Sequence, residues 1–279
     1  MSAFAWRGLV ELTMVGAICG ALGVHVVLRR LAYTADMLSH VMLPGAVAAG
    51  LAAVDIRLGA ATAVAAAGGA ITLRRTTVAP TGKAAVTGVI VSGALATAAV
   101  LASASDGFRV DLAAALVGSP LTVTTSDIAV FAAVGLLVIA TLTLLAKELR
   151  LSAFDPIGVQ ALGYPSRRLD AVPLVLLGVV VVAAVPAVGS MLPLALLAGP
   201  AGAALLWTRR LLPAMVLAAL LGAAAGAAGL ALSLHYRLAT AATVALLCGL
   251  IFLAAFTMNL RRNGGRAATD PRRGSHSPS

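Results

Sequence analysis

The chain has 279 residues, of which 61% are hydrophobic and only 11% charged, and its mean hydropathy is +1.02. A soluble domain carries about 25% charged and about 45–50% apolar residues, so this composition excludes a water-facing fold, and it excludes a disordered chain equally. Twenty Lys and Arg against ten Asp and Glu leave a formal charge of +10. In a soluble protein that excess would suggest nucleic acid. In so apolar a chain it is read first as membrane orientation, because cytoplasmic loops collect Lys and Arg, and no nucleic-acid partner is implied.

A run of about 20 apolar residues crosses a bilayer core of about 30 Å as a helix. Nine candidate runs lie near residues 4–28, 35–54, 58–73, 84–104, 127–146, 171–188, 190–206, 213–233 and 239–259. The third is short, and only Pro186-Ala187-Val188-Gly189 separates the sixth from the seventh, so eight spans with one re-entrant piece also fit. The first run carries Arg7 and Glu11 near its start and ends in Arg29-Arg30 rather than at a small-residue cleavage site, which makes it a span and not a signal peptide. The sequence thus predicts an all-α polytopic membrane helix bundle of eight or nine transmembrane helices, with the transmembrane domain over 1–260. Residues 261–279, polar, basic and rich in Gly, Ser and Pro, read as a disordered cytoplasmic tail in which His276 is solvated.

Threading nine spans sorts the loops onto two sides. Arg7, Arg57, Arg109 and Arg237 fall on one, and the other 16 of the 20 basic residues, among them Arg29, Arg30, Arg74, Arg75, Lys147, Arg150, Arg209 and Arg210, fall on the other. That bias predicts the N-terminus outside and the C-terminus in the cytoplasm. Ala and Gly throughout the runs, such as Gly222, Gly226 and Gly229, predict closely approaching helices. Cys19 and Cys248 fall inside spans and read as small core residues.

An ionisable side chain at the centre of a membrane helix costs about 2.5–3.5 kcal/mol even on lenient insertion scales, so such residues mark function. The clear case is Asp36 with His40, in Leu31-Ala-Tyr-Thr-Ala-Asp36-Met-Leu-Ser39-His40-Val-Met-Leu-Pro44-Gly45. Positions 36, 39 and 40 are related by i,i+3 and i,i+4, which predicts carboxylate, hydroxyl and imidazole on one helical face. Pro44 removes a backbone hydrogen bond and crowds the carbonyl of His40, so a helix break is expected at Pro44-Gly45, as at the ion sites of transporters. His25 has no acidic residue at helical spacing and reads as a packing residue. Carboxylate plus imidazole suits Zn²⁺ or Mn²⁺, and the remaining ligands must come from a second copy, from backbone carbonyls or from water.

The segment Leu31–Gly45 resembles the D-x-x-S-H-x-x-L-P-G signature of the membrane permease subunits of ABC-type zinc and manganese importers. Leu28-Arg29-Arg30 precedes it as in that family. Phe108 to Asp127 is similar to the family's D-L-x-x-x-L-F-G-x-x-L segment, and Ala187-Val188-Gly189 to Ala201 to its A-V-G-x-x-L-x-x-A-L-L-x-x-P-A stretch. Lys147-Glu148-Leu149-Arg150 through Phe154-Asp155-Pro156-Ile157 to Gly163 is similar to K-E-L-x-x-x-x-F-D-P-E-x-A-x-x-L-G. The chain departs from the pattern after Arg75, where two acids are missing, at Ile157, where the family has Glu, and at Leu238-Ala239-Thr240-Ala241.

The resemblance implies a homodimer in the bacterial plasma membrane, in contact with membrane lipid, two copies of a cytoplasmic ABC ATPase, and an extracellular metal-binding lipoprotein. It implies that Asp36 and His40 meet the metal, which is transported and not kept as a cofactor. It also implies that Glu148, Phe154, Asp155, Pro156, Ile157 and Gly163 belong to the element docking on the ATPase. The residues themselves allow a short helix there, with Asp155 as N-cap and Pro156 at the first helical position. No G-x-x-x-x-G-K-[ST] loop occurs, so ATP hydrolysis is assigned to another chain. No H-E-x-x-H occurs, which argues against a membrane zinc protease. The alternatives are a stand-alone proton-coupled divalent cation carrier, using the same Asp36 and His40 as a relay, and a non-transporting scaffold.

Overall fold

The computed structural model describes residues 3–52, 54–77, 83–103, 118, 123–154, 166–190, 192–208 and 210–268, which contain ten α-helices and no strand. The helices are α1 (Ala3–Leu28), α2 (Ala32–Leu51), α3 (Ile56–Thr77), α4 (Lys83–Ser103), α5 (Thr125–Leu144), α6 (Ala146–Phe154), α7 (Ser166–Val188), α8 (Leu192–Trp207), α9 (Leu211–Tyr236) and α10 (Thr240–Ala268). The nine long helices overlay the nine apolar runs of the sequence. Four stretches among the described residues, Ala5–Leu28, Thr125–Leu144, Leu211–Tyr236 and Thr240–Arg261, are long and apolar enough to cross a membrane unaided.

Helix α5 shows why composition alone gives a span. Phe131, Gly135, Val138 and Leu142, spaced by three or four, are buried, whereas Leu136, Leu137 and Ile139 are exposed. A helix apolar all round fits a lipid-facing position, where the outer face meets acyl chains and the inner stripe meets protein. Leu220 and Val216 of α9 and Leu246, Leu250 and Leu253 of α10 are exposed in the same way. Aromatic rings stand at helix ends, with Trp6 and Tyr33 in first turns and Trp207 and Tyr236 at last residues, all exposed, as interfacial belts require.

The core is built around α1, which packs against α9, α8, α5 and α7. Its Leu12, Val15, Cys19 and Leu22 are fully buried, together with Phe131, Leu177, Leu196 and Leu230 from the surrounding helices. One face of α1 lies backbone to backbone on α9: a Cβ at Gly16 would strike the Gly222 carbonyl, one at Gly222 would strike that of Gly16, and one at Gly226 that of Leu12. Without a water-driven force between helices in lipid, such approach is what holds them. Helix α2 forms a second layer with α3 and α4 and touches α7 and α8.

The turns are tightly specified. Helix α1 ends in a Schellman motif, with Arg30 N–H donating to Val27 O at 3.0 Å, Leu31 N–H to Val26 O at 2.8 Å, and Arg30 left-handed at φ 55. Thr124 and Asp127 form a capping box that starts α5. A single residue, Leu145, separates α5 from α6.

Two sequence expectations need correction or extension. Helix α2 does not break after the motif: it runs without interruption from Ala32 to Leu51 with Pro44 inside it. The reason is packing. Gly45 is seated on α3, where a Cβ would strike the Gly59 carbonyl and one at Gly59 that of Gly45, so close packing supports a continuous helix while the backbone donor of Pro44 is lost. Gly45 is therefore a close-contact residue and not a hinge. At the other end of the chain, α10 continues to Ala268, past the boundary at 260.

Candidate functional site

Asp36 and His40 occupy successive turns of α2. The His40 imidazole folds back along its own helix, with Nδ1 2.9 Å from the backbone carbonyl of Asp36 and 3.6 Å from Asp36 Oδ1. A carbonyl only accepts, so a neutral ring bonded this way carries its proton on Nδ1 and has Nε2 as its acceptor nitrogen. That is the arrangement of a metal-ligating histidine, whose second nitrogen is fixed by an oxygen partner. The Asp36 side chain is 38% exposed and that of His40 16% exposed in the single chain. The pair therefore opens onto a surface that this protomer does not cover.

Ser39 does not join them. Its side chain is fully buried, and its hydroxyl donates to the Ala35 carbonyl at 3.0 Å, so the expected three-group face is a two-group face. The serine bonds its own helix, as mid-helix Ser commonly does. Among the described residues no group of three or more His, Cys, Asp or Glu gathers in a way that could hold a metal. Asp36 and His40 by themselves would offer a metal only two side-chain donors, fewer than a closed site holds.

The structure also brings together charges that the sequence scattered. Arg57, at the start of α3, pairs through Nη2 with Asp127 Oδ1, at the start of α5. Glu11 of α1 lies within electrostatic range of both, fully buried, with neither carboxylate oxygen hydrogen bonded. His25, about four turns further along α1, is 1% exposed with neither ring nitrogen bonded. Sequence reasoning placed Arg57 in a loop and Asp127 at the start of a span, and gave Glu11 no part in a site. The available cue was that each of the first two opens an apolar helix.

Beside Arg57 an apolar cavity of about 580 Å³ runs between α2, α3, α5 and α7, lined by Leu38, Val64, Val134 and Gly178 among others. Its walls are almost wholly aliphatic and offer no set of metal ligands.

At the opposite end of α1, Arg29 reaches the segment after α5. Its Nη2 donates to Leu149 O at 3.1 Å and to Ser152 Oγ at 2.6 Å, and its Nη1 to Leu169 O at 3.5 Å. Of the residues expected to face an ATPase, Glu148 is partly buried on α6 with one carboxylate oxygen, Oε2, buried and unbonded, and Phe154 is the last residue of α6. Asp155, Pro156, Ile157 and Gly163 lie outside the described residues.

An all-helical, multi-pass membrane chain with an acid–imidazole pair on an incompletely covered helix face has the form of a metal permease. The chain belongs to the ABC 3 transport family, which it matches over residues 1–259. It is 34% identical over 254 residues to the manganese transport system membrane protein MntC of Halalkalibacterium halodurans, covering 90% of this chain and 85% of that one. It is 30% identical over 253 residues to the manganese import system permease protein ScaB of Streptococcus gordonii, covering 91% and 90%. Among solved structures, PsaBC from Streptococcus pneumoniae in complex with Fab superposes with a TM-score of 0.82 at 27% identity, over 91% of each chain.

Proposed function

We propose that this chain passes Mn²⁺ or Zn²⁺ across the plasma membrane as the permease subunit of an importer, with Asp36 and His40 forming the transient site on the path. The observation that carries the reading is the His40 imidazole held with Nδ1 2.9 Å from the Asp36 carbonyl, beside a partly exposed carboxylate on the same helix. Asp36 binds as the carboxylate and His40 as the neutral imidazole, so the ion must displace any proton on either. Two side-chain ligands from each copy bind the ion without caging it, so that it can also leave. The names of MntC and ScaB favour manganese over zinc.

In this reading two copies face each other across the open side of α2 and complete the shell. A cytoplasmic ATPase docks on the 147–163 segment, and an extracellular metal-binding lipoprotein delivers the ion. The distribution of basic residues supports an outside N-terminus and a cytoplasmic C-terminus, with residues 1–260 in the bilayer and the basic tail beyond. Rocking of the bundle on ATP hydrolysis then alternates access to Asp36 and His40.

Manganese uptake by vesicles containing the permease and its ATPase tests this. Asp36→Asn combined with His40→Ala should abolish uptake while leaving assembly intact. Uptake at the unmodified rate in that double variant overturns the site. Uptake by the permease alone under an imposed pH gradient, without any ATPase, would instead establish a proton-coupled carrier.

A further inference from the structure

We propose that Arg29 is a positioning residue that ties the cytoplasmic segment to the metal-bearing helix, so that motion of α6 and the start of α7 is delivered to Asp36 and His40; this rests on the transport reading of α2 and of the 147–163 segment. One guanidinium holds acceptors on two elements at once: the Leu149 carbonyl and Ser152 hydroxyl of α6, and the Leu169 carbonyl in the first turn of α7. Leu149 is itself fully buried, so α6 is anchored in the bundle at the point where Arg29 grips it. Three acceptors in different directions suit a planar guanidinium with five donors, which the single ammonium of Lys cannot reproduce.

The connection from that guanidinium to α2 contains no slack. Arg29 is the last capping residue of α1, its N–H donating to His25 O at 3.1 Å. The two Schellman bonds of Arg30 and Leu31 lock the corner, and Leu31 O already accepts from Ala35 N–H at 2.9 Å, which begins α2. Asp36 lies four residues into that helix, about 6 Å along its axis. Segment, corner and site helix therefore behave as one body. A displacement of α6 and the start of α7 is carried through the Arg29 grip to the α1–α2 corner and on to the metal ligands.

The test uses the complete transporter in vesicles, with Mn²⁺ as the only added metal, and reads three quantities: Mn²⁺ bound at equilibrium, Mn²⁺ carried per ATP hydrolysed, and the distance between spin labels at Tyr33→Cys and Arg150→Cys. Both labelled positions are exposed, and the native Cys19 and Cys248 are buried. Arg29→Ala should leave assembly and Mn²⁺ binding unchanged, lower the Mn²⁺ carried per ATP about tenfold, and broaden the label distance. Arg29→Lys should recover part of both, and Ser152→Ala should lose less than Arg29→Ala. A normal transport ratio in Arg29→Ala overturns the proposal, as does joint loss of binding and assembly in both Arg29 variants, which would make the residue only a structural cap. If the unmodified transporter carries no metal, the transport reading fails by itself. In that case a nucleotide-dependent label shift lost in Arg29→Ala still supports the linkage, and the same shift in both proteins overturns it.

Discussion

The Arg57 guanidinium on α3 holds the Asp127 carboxylate on α5, joining two helix starts that lie 70 residues apart in the chain. The side chains are 19% and 17% exposed, so the pair is neither a solvated surface contact nor a dry one. Asp127 also caps α5, its Oδ2 accepting from Thr124 N–H at 2.8 Å. Removing Arg57 leaves Asp127 without its cation while Glu11 stands in range. Arg57→Ala is expected to cost about 3 kcal/mol, the lower end for breaking a buried pair, read as a lower unfolding temperature in detergent. A double cycle with Asp127→Asn should give a coupling of about 1–2 kcal/mol; purely additive losses would show that the pair contributes nothing as a pair.

Glu11 presents the opposite case, a fully buried carboxylate whose two oxygens have no hydrogen-bond partner in the structure. Replacing an unsatisfied buried polar head by an apolar side chain of similar volume removes a desolvation cost. Glu11→Leu should therefore raise stability by about 1 kcal/mol, with manganese uptake unchanged. Loss of uptake in a well-folded Glu11→Leu protein would place this carboxylate on the ion path instead.

The α1–α9 contact depends on the absence of side chains at Gly16 and Gly222, since a Cβ on either would meet the other's carbonyl. Gly222→Ala must push two backbones apart and is expected to cost about 1–3 kcal/mol. Gly249 is the internal control, because a Cβ there meets nothing within 4 Å. Gly249→Ala should leave the melting temperature level or raise it slightly, and equal losses at both glycines would refute the contact argument.

Much of the architecture was legible because lipid imposes a length rule on apolar runs, and the nine runs became the nine long helices. The pairing of Asp36 with His40 was legible for a similar reason, since four residues of separation on a helix leave little choice of geometry. What failed depended on neighbours distant in sequence. Pro44 was expected to break α2, but the Gly45–Gly59 approach keeps the helix continuous. Ser39 was expected to face the site, but it is fully buried and bonds the Ala35 carbonyl of its own helix. Arg57 and Arg29 were counted as loop charges that record orientation, yet both hold specific acceptors on other helices. A count of basic residues by loop describes which side they are on and says nothing of what they grip.

The Arg29-Arg30-Leu31 corner yields a last prediction that separates conformation from charge. Arg30 is exposed and left-handed at φ 55, at the Schellman position that glycine normally fills. A residue with a Cβ pays about 1 kcal/mol there, so Arg30→Gly should raise stability by about that amount despite losing a cation. Arg30→Ala loses the same charge and keeps the strain, and is expected to give no gain. Arg30→Val adds a β-branch to the strained position and should fall below the unmodified protein. Melting temperatures in the order Gly, then Arg and Ala together, then Val support a corner whose backbone is fixed by the two Schellman bonds. A fall in the Gly variant equal to that in Ala would show that the Arg30 charge, and not its backbone, is what the corner uses.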